Sequence, residues 1–231
     1  MAQRYFVDTL PAPGEFRLGG ELAHHLGTVL RSKAGDQVRL ADGRGRSAPA
    51  GIVAIGKREI VLEVGPGEFA AAPNRRVHLA FAPPRKQRAD WLFEHGTEVG
   101  VAVFWPLWTA RTRPQGEKPE RWQRLARAAA GQCDRDWLPE IRPALEFDAF
   151  VAHPDLPVRR LLADREGPGL PAGAAADAGE VLLLVGPEGG FSRPETELAR
   201  NAGFEPIRLG PHILRTETAA LLGAGLLMAS S

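Results

Sequence analysis

Val181–Val185 (VLLLV) runs directly into Gly186-Pro187-Glu188-Gly189-Gly190, and Leu209–Ala219 (LGPHILRTETA) follows Pro206–Arg208 into a C-terminal apolar stretch. Each reads as a strand entering a tight loop that leads to a helix. Glycine-bearing loops of this kind expose main-chain amides and carbonyls, so a ligand can lie against the backbone itself. Either loop alone is an ordinary turn of an α/β protein. Two of them in this order, within fifty residues, point to one composite site.

Upstream, strands and helices alternate. Val77–Ala82, Val103–Trp108, Arg159–Ala163 and Glu180–Val185 read as strands; Ala89–Gly100, Pro119–Gln132 and Leu214–Ala229 read as helices. Ser192 with Glu195 three residues on predicts a capping box, with Pro194 inside the first turn. The pattern implies a mostly parallel sheet covered on both faces. The last helix is apolar nearly all round, which predicts burial in the core or against another subunit. The first seventy residues differ. Arg4–Val7, Gln37–Ala41, Ala50–Ile55 and Glu59–Val64 read as short strands, with Asp42-Gly43 as a hairpin turn and one helix over Glu21–Leu30. That density of strands predicts a small β-barrel. Pro66–Asn74 reads as a linker, giving domains at 1–70 and 74–231.

The 231 residues carry a net charge of +1, which conceals an uneven spread: residues 71–142 hold thirteen cations against eight acidic groups, and residues 143–231 seven against twelve. A basic middle suits a polyanion partner, although a charge run also serves as a solvated face. The single cysteine, Cys133, excludes an internal disulfide and a cysteine-cluster metal site. No apolar leader occupies Met1–Leu10 and no apolar run approaches membrane-spanning length, so a cytoplasmic protein without membrane or metal partners is expected. There is no Walker loop, no G-x-S-x-G elbow and no H-E-x-x-H. Gly167–Ala172 fits a dinucleotide fingerprint only nominally, being broken by Pro168 and Pro171. His24 and His25 are adjacent on a helix and diverge, a poor metal pair.

LLLVGPEGGFS, a capped helix and then LGPHILRTETAAL resemble the ribosomal RNA uracil-N3 methyltransferase family (RsmE-like), within the SPOUT superfamily of knotted methyltransferases. His24-His25-Leu26 with Val29-Leu30-Arg31, Gly96–Val101, and Gly131–Arg135 with Pro139-Glu140-Ile141 resemble further motifs of that family, so the likeness spans nearly the whole chain. It departs at three positions: His95 stands for the usual Lys, Gly131 for Glu, and Ala110 for the Glu before Arg111.

The resemblance implies a PUA-like barrel followed by an α/β SPOUT domain with a C-terminal trefoil knot. It also implies S-adenosyl-L-methionine as cofactor, a homodimer, and 16S ribosomal RNA or the small ribosomal subunit as partner, methylated at a uracil N3 (conventional position 1498). The cofactor-binding residues it implies are Leu184, Gly186, Glu188, Gly189, Leu209, Gly210, Ile213, Leu214 and Thr216, with core packing as a compatible role for Ile213 and Leu214. Arg215 and Glu217 are the implied catalytic pair; Glu217 also suits plain charge compensation at a helix N-terminus. Arg4, Arg31, Arg85, Arg88, Arg111 and Arg135 are the implied RNA-binding residues. Methylation of a ribose 2′-oxygen and non-catalytic RNA binding are the competing readings.

Overall fold

The computed structural model describes residues 3–24, 26–27, 32–84, 87–112, 119–170 and 179–229. His25, Val29, Leu30, Arg31 and Arg85 therefore lie outside the described residues. The chain forms two compact units: residues 1–72 with 130–138, and residues 73–129 with 139–231.

In the first unit, β1 (Arg4–Phe6), β2 (Gly14–Gly19), β3 (Gln37–Ala41), β4 (Arg46–Ile55) and β5 (Glu59–Val64) form a sheet in the order β1-β3-β4-β5-β2. β6 (Glu68–Phe69) adds to β4. Only β1 and β3 run parallel. Alternation along β5 turns Ile60, Leu62 and Val64 inward onto Leu18, Val38, Leu40 and Ile52. The helix expected over Glu21–Leu30 is described only as α1 (Gly20–His24). The Pro66–Asn74 stretch is not simply a connection, because Phe69 pairs with Arg46 and Trp137 donates to the Ala70 carbonyl at 3.1 Å.

The Asp42-Gly43 hairpin takes a four-residue form. Asp42 Oδ1 accepts from the amides of Arg44 and Arg46, while Gly43 and Gly45 adopt positive φ of 72° and 92°. Residues 130–138 pack on this hairpin: Leu138 N donates to Gly43 O at 3.0 Å, and Gly45 N to Asp136 O at 3.2 Å. Their approach also accounts for Gly131. A Cβ there would stand 2.6 Å from the Arg4 carbonyl oxygen, so no larger side chain fits without moving backbone.

The second unit holds an all-parallel sheet in the order β10-β8-β7-β12-β11-β13, with β9 also paired to β8. The strands are β7 (Arg76–Phe81), β8 (Val103–Trp108), β9 (Glu140–Ile141), β10 (Leu145–Glu146), β11 (Arg159–Ala163), β12 (Glu180–Val185) and β13 (Glu205–Ile207). The helices are α2 (Gln87–Val99), α3 (Pro119–Gln132), α4 (Phe147–Val151), α5 (Arg193–Asn201) and α6 (Thr216–Ala229). The period of two sorts the apolar strands between two cores. Val181, Leu183 and Val185 join Val77, Leu79 and Phe81 against α2 and α6; Leu182 and Leu184 join Ala80 and Leu162 against α4 and α5. Pro106 survives inside β8 because β9 pairs only as far as Phe104 and β10 begins at Leu107, leaving its missing N–H at a gap in the ladder.

The last helix is not buried all round. It turns Ala220, Gly223, Ala224 and Leu227 inward and leaves Leu222 and Leu226 exposed at 39% and 38%. Gly223 allows that close packing, since a Cβ would meet Leu183 Cδ2 at 2.4 Å and the leucine would have to shift.

His78, on β7, is almost fully buried and accepts a hydrogen bond at Nδ1 from Trp105 Nε1 at 3.3 Å. Burial pushes its pKa down to about 4, with Arg76 and Arg142 acting in the same direction and Glu180 opposing them. The unfolded chain takes up this proton at higher pH than the folded one. The stability from neutral His78 is therefore complete above the unfolded value of 6.5 and is lost as pH falls towards 4. Equilibrium unfolding should lose about 3 kcal/mol over that window. His78→Gln, which keeps an acceptor for Trp105, should flatten the slope.

Candidate functional site

β11 lies between β12 and β13 in the second unit, so the segments following all three strands meet at the carboxyl edge of the sheet. Open parallel sheets place ligands at such edges. A cavity of about 430 Å³ opens there, lined by 186–191 after β12, by 208–210 and 212–214 after β13, and by Asp164 and Arg165 after β11. Its volume lies within the usual range for small-molecule sites. Among the described residues, no group of three His, Cys, Asp or Glu side chains is placed to hold a metal ion.

Local forces build each wall. In the first loop Gly190 takes a φ of 71° and its amide donates to Pro187 O at 2.8 Å. Thr216 Oγ1, at the first residue of α6, donates to Gly186 O at 2.9 Å and so ties the two loops together. Ser192 caps α5 in a full capping box with Glu195. The Glu195 carboxylate is buried and accepts from Ser192 N, Ser192 Oγ and, at 2.7 Å, from Ala110 N. Ala110 thus contributes its amide, which any residue supplies. Glu195→Ala should strip partners from these donors and cost about 2 kcal/mol in a thermal melt.

Of the expected cofactor residues, Gly186, Glu188, Gly189, Leu209, Gly210, Ile213, Leu214 and Thr216 all line this cavity. Leu184 does not; it is buried with Ala199 and Phe204 on the α5 side of the sheet. Ile213 is 79% exposed, an apolar side chain left open at the cavity wall. Sequence reading missed Asp164, Arg165, Phe191, Arg208 and His212. An acidic residue immediately after an apolar parallel strand was the available signal for Asp164.

Arg215 is exposed, and Glu217 in the first turn of α6 is 8% exposed. Glu217 Oε1 lies 3.8 Å from Arg88 Nε, while Oε2 is buried without a hydrogen-bond partner.

Of the expected RNA-binding arginines, Arg4 and Arg135 belong to the first unit and Arg88 and Arg111 to the second. Arg4 is buried and ion-paired with Asp134 at 2.9 Å and Asp136 at 3.4 Å within the first unit, which commits its guanidinium to holding residues 130–138. Arg135 is largely desolvated, which lowers its pKa. Arg88 pairs with Glu188 at 2.8 Å, and Arg111 donates to the Gly189 carbonyl. Arg31 and Arg85 lie outside the described residues.

Residues 71–228 match the family model for an RNA methyltransferase domain, and residues 18–65 the model for an RNA methyltransferase PUA domain. The chain is 36% identical to the ribosomal RNA small subunit methyltransferase E of Synechocystis sp., over 85% of this chain and 67% of that one. It is 31% identical to the Mycobacterium bovis protein of the same name, over 97% and 90%. Among solved structures, a Legionella pneumophila protein described as a methyltransferase in complex with S-adenosylmethionine superposes with a TM-score of 0.88. It is 28% identical and covers 100% of this chain and 98% of its own. With a PUA-like unit, an α/β unit and a loop-lined cavity in one chain, the protein belongs to the ribosomal RNA small subunit methyltransferase E family and is an RNA methyltransferase.

Proposed function

We propose that this chain transfers a methyl group from S-adenosyl-L-methionine to N3 of a uracil in the 16S ribosomal RNA of the small subunit, acting in the cytoplasm as a homodimer. The observation that carries this reading is the single cavity formed by both C-terminal loops, with the buried, unpartnered Glu217 Oε2 next in sequence to a cavity-lining residue. The fit to a nucleoside donor is chemical. Main-chain groups of 186–190 and 208–210 suit a purine edge and ribose, and Leu209, Ile213 and Leu214 suit apolar contact.

When bound, that donor supplies an electrophilic methyl on a sulfonium sulfur, which retains the bonding pair as a neutral thioether. The imide N3 of uracil becomes a competent nucleophile only as its proton leaves. Glu217 accepts that proton at Oε2, and the exposed Arg215 guanidinium stabilises the charge spreading onto O2 and O4. Arg165 and Arg208 are exposed around the cavity and place two cations at its mouth, beside Asp164 and Glu188, where they suit phosphates. A paired uracil must first be turned out of its stack.

In this reading residues 1–70 form the RNA-binding barrel and 74–231 the catalytic domain. The bridge from Gly169 to Arg208, with Arg208 N donating to Pro168 O at 2.6 Å, supports a knot in which the chain leaving β13 passes against the loop after β11. Exposed Leu222 and Leu226 on α6 support pairing of two copies through that helix.

Nucleoside mass spectrometry of ribosomal RNA treated with protein and donor tests the assignment. The expected product is 3-methyluridine. A 2′-O-methyl nucleoside would move the reaction to the ribose, and an unmodified RNA would leave binding alone.

A further inference from the structure

The loop 186–190 is rich in glycine, so holding it in one shape costs more conformational entropy than for most segments of its length. Its own internal hydrogen bond, Gly190 N to Pro187 O, does not fix Glu188 or Gly189, both of which are exposed. Two arginines reach those two consecutive residues from different elements.

Arg88, in the first turn of α2, donates from Nη1 to Glu188 Oε1 at 2.8 Å, and its Nε lies 3.8 Å from Glu217 Oε1. One guanidinium therefore spans the first loop and the start of α6. Arg111 follows β8 and donates from Nη1 to the Gly189 carbonyl; its Cδ would stand 3.2 Å from a Cβ on that glycine. The turn bearing Arg111 is itself fixed. Thr109 N donates to Thr112 Oγ1 at 2.9 Å, and Ala110 N donates to the buried Glu195.

We propose that Arg88 and Arg111 are positioning residues that brace the methyl-donor loop from two sides, rather than primary RNA contacts. The inference rests on the donor site proposed above. A guanidinium suits this work because its donors lie in a fixed fork and serve two acceptors at once, which an ammonium on a flexible stem does not reproduce. The two contacts to the loop are exposed to solvent, and an exposed ion pair alone contributes little. The effect is therefore modest for either arginine and larger when both are removed.

The test is calorimetric titration of S-adenosylhomocysteine into the wild type, Arg88→Ala, Arg88→Lys, Arg111→Ala and the double alanine variant. Binding of a uridine-containing RNA hairpin and melting temperature are measured in parallel. The brace predicts about threefold weaker thioether binding for each alanine variant and about tenfold or more for the pair. Arg88→Lys should fall between Arg88→Ala and wild type. RNA affinity should stay within about twofold, and in Arg111→Ala, whose contact is to the loop alone, the donor KM should rise while kcat at saturation holds. Amide exchange across 186–190 without ligand should quicken in the double variant, a readout that stands even if melting shifts.

Thioether binding and loop exchange unchanged in the double variant, with RNA affinity reduced about tenfold, would overturn the brace and return both arginines to the RNA. A wild type that fails to bind the thioether would overturn the donor site and the brace with it.

Discussion

Arg215→Ala is expected to lower kcat by about a hundred- to a thousand-fold while leaving donor affinity within about twofold, the loss typical of removing one group that stabilises developing charge. The expectation follows from position. Arg215 is exposed between Leu214 and Thr216, both of which line the cavity, yet it is not itself part of the lining. Its guanidinium is thus free of the donor and available to the substrate. Its main-chain carbonyl accepts from Ala219 N at 2.8 Å, an interaction that alanine retains, so the start of α6 should be undisturbed. Single-turnover kinetics at saturating donor, beside thioether titration, separates the two quantities. Turnover equal to wild type would remove Arg215 from the chemistry.

Gly167→Val should be among the most damaging single changes outside the cavity. A Cβ at Gly167 would lie 2.8 Å from Ile207 N and 2.9 Å from Pro206 C, both main-chain atoms that no rotamer change can move aside. Arg208, which bridges to Gly169 and donates to Pro168, lies next along the same crossing. Opening it costs about 3 kcal/mol in stability and shifts the segment carrying Leu209 and Gly210, so donor binding should fall with it. Gly169→Ala is the matched control: its Cβ would meet nothing within 4 Å. Chemical denaturation of the two variants should give a large loss for the first and little for the second. Equal effects would refute the close crossing as the cause.

The parts of this structure that were legible in the sequence are those set by neighbours along the chain. The capping box at Ser192 and Glu195 forms as its spacing predicts. β3, β11, β12 and α3 keep the bounds that their patterns predict. β6, β9 and β10 were not legible, because two-residue strands carry no period and exist only through the partners beside them. Asp164 follows an apolar strand, but that local signal alone does not place it in the cavity. It enters the cavity because β11 inserts between β12 and β13, a strand order that no local pattern encodes. The burial of Arg4 was not legible either, because its ion-pair partners Asp134 and Asp136 stand some 130 residues on. Ala110 and Gly131 are departures from the family pattern in the linear chain. In three dimensions one supplies a backbone amide to Glu195, and the other makes room for the Arg4 carbonyl.

The most direct test of the central claim is a crystal structure of the protein grown with S-adenosylhomocysteine. The thioether nucleoside is predicted to lie between 186–190 and 208–214, with its sulfur facing the side on which Arg215 and Glu217 stand. Density for the compound elsewhere, or those two loops separated with the cavity empty, would contradict it.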